Sequence, residues 1–151
     1  MLNLLNREKL RAEFAAAKPV PHIVIDNFLD RGAAKAIVDA YPDFDTALRQ
    51  GRTFKTVNER KKVQVSDSTG FTAPVAKLND LLSSPEFLSD LSYITGIPEL
   101  LADEQLVGGG IHMTGSGGHL DVHVDFNFVE GRKLHRRLNL LLYLNESWQP
   151  S

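Results

Sequence analysis

Apolar residues recur with a helical period through the first hundred positions and with a period of two thereafter, so the pattern predicts helices followed by strands. Leu2, Leu5, Leu10 and Phe14 share one stripe, and the spacing predicts an amphipathic helix over residues 2–16, ended by Lys18-Pro19. Val20-Pro-His-Ile-Val-Ile25 reads as a short strand. Asp30 is suited to cap a helix in which Ala33, Ala36, Ile37, Ala40 and Tyr41 follow the i, i+3, i+4 rule, and Pro42 stops it. Residues 49–70 are polar, with the run Asn58-Glu-Arg-Lys-Lys62 and the turn-rich Ser66-Asp-Ser-Thr-Gly70, and read as solvated loop or edge strand. Phe71, Val75, Leu78 and Leu82 mark a further helix. Another opens with Ser84-Pro85, a favourable cap and first-turn pair, and closes at Gly96.

After about residue 104, glycines at 108–110 and 115–118 punctuate short alternating runs, and β-branched and aromatic residues become frequent. His119-Leu-Asp-Val-His-Val-Asp-Phe-Asn-Phe128 alternates throughout and predicts a strand. One face of that strand carries His119, Asp121, His123, Asp125 and Asn127; the other is apolar. A second strand is expected over Arg137-Leu-Asn-Leu-Leu-Leu-Tyr-Leu-Asn145, where Tyr143 shares a face with Asn139 and Arg137. These readings predict one α+β domain over residues 1–151. Its helical support region spans about residues 1–103, packed on a sheet that begins near residue 104.

Composition narrows the chemistry. The chain has 42% hydrophobic and 24% charged residues and a formal net charge of -2, which suits a folded protein and gives no field for nucleic acid or anionic lipid. No cysteine is present, so a metal would have to be held by His, Asp or Glu. No run approaches 18 apolar residues, and the charged N-terminus does not resemble a signal peptide; a cytoplasmic protein without membrane partners is expected.

Residues two apart on a strand project from the same side with Cα atoms about 6.5–7 Å apart, so an imidazole nitrogen and a carboxylate oxygen can converge on one ion. His123-x-Asp125 is such a pair. A solvent-facing strand alternates in the same way, so the pair alone leaves both readings open.

Its surroundings add more. The pair follows the glycine-rich Gly108-Gly-Gly-Ile-His-Met-Thr-Gly-Ser-Gly-Gly118 and precedes Arg136-Arg-Leu-Asn-Leu-Leu-Leu-Tyr-Leu-Asn145 and Trp148. This order of motifs, over about residues 107–150, resembles the Fe(II)/2-oxoglutarate-dependent oxygenases of the prolyl-hydroxylase-like branch. The resemblance implies a double-stranded β-helix of the jelly-roll, cupin-like kind, with N-terminal helices bracing the sheet. It also implies a 2-His-1-carboxylate iron site that leaves coordination positions open. His123 and Asp125 match the first two ligands, and Tyr143 matches the tyrosine whose hydroxyl reaches the distal carboxylate of 2-oxoglutarate. Asn127, Asn139, Arg136 and Arg137 are expected to line or flank the pocket. The implied cofactors are Fe(II) and 2-oxoglutarate, with ascorbate as a candidate accessory, and the implied activity is hydroxylation of a small-molecule, saccharide or peptidyl substrate.

The sequence departs from that pattern after Trp148. A distal histidine and the Arg or Lys that follows it are missing, which suggests an incomplete β-helix that holds iron weakly or not at all. His135 lies in a connection, while His112 and His119 are candidates for a substitute ligand or for residues bordering the site. Exposed sheet edges would then favour a homodimer. Two other readings stay open: a non-catalytic β-helix binding or structural module, and a cupin-type metal-dependent enzyme, for which His119-x3-His123 speaks.

Overall fold

Four of the five described α-helices begin where a side chain replaces the acceptor that first-turn N–H groups lack. The computed structural model describes residues 1–54, 58–145 and 147. In it, Asn6 accepts from Lys9 N at the start of α1 (Arg7–Ala16). Asp30 accepts from Ala33 N before α2 (Arg31–Asp39), and Asp43 from Thr46 N before α3 (Phe44–Gln50). Strands β1 (Arg52–Phe54) and β2 (Glu59–Val65) follow. Next comes α4 (Ala73–Leu82), then α5 (Pro85–Thr95), capped by Ser84 at one end and by the left-handed Gly96 at the other. The chain continues with β3 (Ile111–Leu120), β4 (Phe128–Val129) and β5 (Leu134–His135). The fold is a mixed α+β arrangement with small antiparallel sheets.

The chain divides into two compact units, Met1–Ala40 with Thr72–Ala102, and Tyr41–Phe71 with Asp103–Ser151. The first contains α1, α2, α4 and α5. Leu10, Leu29, Ile37, Val75, Leu78, Phe87 and Ile94 are buried there, and Phe28 meets Phe87 edge to face at 5.9 Å. Each of these helices buries part of its apolar stripe: Leu10 in α1, Ile37 in α2, Val75 and Leu78 in α4, Phe87 and Ile94 in α5.

In the second unit the sheet order is β1-β2-β3, antiparallel throughout. Val63 and Val65 of β2 lie opposite Met113 and Ile111 of β3. The buried side chains are Val63, Val65, Ile111 and, from α3, Ala47. Helix α3 lies against β2 and β3, with the Phe44 ring beside Gly115. The opposite face of the sheet carries Lys62, Gln64 and His112, with Gln64 directly across from His112.

Several expectations change. The first helix starts at Arg7 rather than at residue 2, because Leu2 forms a bridge with Leu29 and Asn3 N donates to Phe28 O. Residues 20–25 join no strand among the described residues. The polar segment 49–70, read as solvated loop or edge strand, supplies the edge strand β1 and also the central strand β2, in which Val63 and Val65 are buried and Lys62 forms an ion pair with Glu59. The glycines at 115–118 do not separate two strands but form a bulge within β3. Lys62 pairs with Thr114 and Arg60 with His119, so those four glycine-rich residues stand opposite Lys61 alone. Lys61 and Gly117 both take positive φ to make that shift. No described helix is long and apolar enough to cross a membrane.

Candidate metal centre

Strand β3 ends at Leu120, and Asp121 N gives a last hydrogen bond to Asn58 O at 2.9 Å. Beyond it the chain leaves the sheet, so residues 121–127 form a connection to β4 instead of the strand expected over 119–128. The reason is tertiary, since among the described residues no neighbouring strand continues beside them. As a result Val122 and Val124, on the face read as apolar, are 105% and 96% exposed.

His123 and Asp125 converge even so. His123 Nε2 lies 3.3 Å from Asp125 Oδ1, and each side chain is about two-fifths exposed. His123 Nδ1 lies 2.8 Å from Asp121 O. A carbonyl can only accept, so Nδ1 carries a proton, and Nε2 is turned toward Oδ1, to which it donates when protonated and beside which it offers a lone pair to an ion when not. Metal-ligating histidines use the same device, one ring nitrogen on a backbone carbonyl and the other on the ion. Two adjacent ligands with bonds of about 2.1 Å lie about 3 Å apart, close to the observed spacing. An imidazole nitrogen and a carboxylate oxygen at this spacing fit a divalent transition-metal ion as two of its ligands.

The other carboxylate oxygen is engaged elsewhere. Asn139 donates its Nδ2 amide to Asp125 Oδ2 at 2.7 Å, and an Arg136 terminal nitrogen lies 3.5 Å from the same oxygen. Arg136 Nε donates to Asn139 Oδ1 at 2.7 Å, and its guanidinium lies over the Phe126 ring at 4.8 Å. The Asn139 hydrogen bond, helped by the charges of Arg136 and His123, holds the Asp125 carboxyl below the usual carboxylate range. Gly108 makes room for this cluster: a Cβ there would meet the Phe126 ring at 2.8 Å and Arg136 at 3.1 Å.

The remaining candidates lie at varying distances from this pair. His112, on β3, keeps solvent contact, yet the atoms crowding its ring and then the charge of Lys62 push its pKa down, against an opposing hydrogen bond with the Gly109 backbone and a smaller pull from Asp125. Its ring is therefore favoured in the neutral form that a metal ligand needs. His119 Nε2 lies 3.8 Å from Asp121 Oδ1, a looser copy of the 123/125 pair. Asn127 acts through its backbone, its carbonyl accepting from Arg136 N at 2.8 Å. Arg137 and Tyr143 are exposed, and neither hydrogen-bonds to His123 or Asp125.

The strand expected over 137–145 makes no ladder among the described residues, and Trp148 lies outside them. His135, read as part of a connection, is in β5, with its ring 5.0 Å from that of Phe128. No group of three or more His, Asp or Glu side chains gathers among the described residues.

Sequence reasoning missed two parts of the site, the carbonyl of Asp121 and the support that Gly108 and Phe126 give Arg136. A backbone acceptor leaves no signature in residue type, and the second depends on contacts between distant segments. No family model, characterised protein or solved structure matches the chain.

Proposed function

We propose that this chain carries the first two protein ligands, His123 and Asp125, of an Fe(II)- and 2-oxoglutarate-dependent dioxygenase of the hydroxylating type. The observation that carries the reading is the 3.3 Å approach of His123 Nε2 to Asp125 Oδ1, with Nδ1 tied to the Asp121 carbonyl. When bound, iron with 2-oxoglutarate supplies oxidative decarboxylation of the co-substrate, coupled to hydroxylation of a small-molecule, saccharide or peptidyl substrate.

The chain's own residues would do the holding. Asp121 fixes the imidazole tautomer, Asn139 and Arg136 keep Asp125 ionised and oriented, and Tyr143 offers a hydroxyl donor for the distal carboxylate of 2-oxoglutarate. A double-stranded β-helix is the scaffold this reading calls for.

The test is succinate formation from 2-oxoglutarate with and without added Fe(II), alongside Fe(II) retention. Fe(II) retention that falls in both H123A and D125A is expected, and any succinate formed must depend on Fe(II) and be lost in both. Succinate that needs no Fe(II), or that survives both substitutions, overturns the assignment. Because no third donor gathers near the pair among the described residues, a second reading stands beside it: the scaffold without catalysis. A chain that forms no succinate and retains no iron favours that one.

A further inference from the structure

The two oxygens of Asp125 have different neighbours, although the side chain is 40% exposed and could otherwise turn freely. Oδ1 faces His123 Nε2, while Oδ2 accepts from Asn139 and faces Arg136. Asn139 is itself oriented: Arg136 can only donate, so the amide oxygen must face the guanidinium and the NH2 group must face the carboxylate. Arg136 is in turn held by the Phe126 ring and by its backbone N–H on Asn127 O. The β4-β5 hairpin pairs Phe128 with His135 and so returns residues 136–139 alongside the connection that carries the pair.

We propose that Asn139 is a positioning residue that makes Asp125 a one-oxygen metal ligand: by donating its amide to Oδ2, it reserves Oδ1 for an ion shared with His123 Nε2. This rests on the reading of His123 and Asp125 as ligands. A carboxylate without that restraint can rotate and close on an ion with both oxygens, which changes the number of ligands and the affinity together. Residues that orient a ligand in this way typically contribute a factor of 10–100 in metal affinity.

The experiment uses the full chain and Co(II), followed by calorimetry and by the visible ligand-field absorption of the bound ion. N139L keeps the side-chain volume and removes the amide donor; N139Q keeps a donor. The expected result is affinity about tenfold lower in N139L, with altered ligand-field bands, and affinity returning toward wild type in N139Q. Far-UV circular dichroism and the thermal midpoint of N139L should match wild type, which separates positioning from a merely structural role. Should N139L melt earlier, the N139Q comparison decides: restored affinity supports the proposal and unrestored affinity overturns it. Unchanged affinity and bands in N139L, with binding lost in H123A and D125A, overturn the role of Asn139 and leave the ligand reading intact. A wild-type chain that binds no Co(II), or one whose binding survives H123A and D125A, overturns both.

Discussion

At Gly110 the backbone has φ of +96°, and a Cβ placed there would lie 2.2 Å from Val65 O. Only glycine lets β3 start directly beside the end of β2, where Ile111 pairs with Val65. Gly70 differs, with nothing within 4 Å of its Cβ position and no positive φ. We expect G110A to lose at least ~2 kcal/mol of stability, and G70A to be neutral or to gain about 0.5 kcal/mol by restricting the unfolded chain. Urea unfolding of the two variants checks the contrast; equal losses would remove the steric argument. At this scale the convergence of His123 and Asp125 was expected from a strand, and the two side chains meet although residues 121–127 form none. Asn139 was legible only as a residue near the pocket, because its amide reaches Asp125 through a contact 14 positions away in sequence.

Among elements, the helices were the most legible. Asp30 and Ser84 cap where their sequence neighbours said they would, because a cap acts within three residues of itself. The short α3 was missed, since seven residues hold too few turns to display a stripe. It too is capped by an aspartate.

The carboxyls of Asp30 and Asp43 are both held below their ordinary value of 3.8, by the backbone N–H of Ala33 and of Thr46 respectively, with the N-terminal amine adding at Asp30. The unfolded chain therefore binds more protons in the window between the depressed and ordinary values, and stability rises with pH there. The contribution is complete above about pH 4 and is lost as pH falls through the folded-state values. D30N and D43N keep an oxygen cap but no titrating group, so each should show a shallower loss of stability on acidification. Acid titration by circular dichroism measures the slope, and slopes equal to wild type would sink the linkage.

Across the molecule, the second unit leaves much apolar surface open. Val122, Val124, Leu141 and Tyr143 are each more than two-thirds exposed. Were these exposed side chains to form one patch, they would favour association. We expect self-association that grows with concentration and weakens in the V122K/V124K double variant, measured by light scattering behind a sizing column. A monomer at every concentration would remove the expected homodimer.

The sequence by itself determined α2, α4 and α5 with their starts, and the closeness in the chain that lets His123 and Asp125 meet. Each of these depends on residues close in the chain, where caps, stripes and alternation act directly. Only the tertiary structure decided that β2 is a central strand, that the glycines at 115–118 form a bulge, and that the sheet stops at Leu120. It also decided which carboxylate oxygen Asn139 holds. Those outcomes turn on which distant segment lies alongside, and alternation in sequence describes a strand's two faces without naming its neighbour.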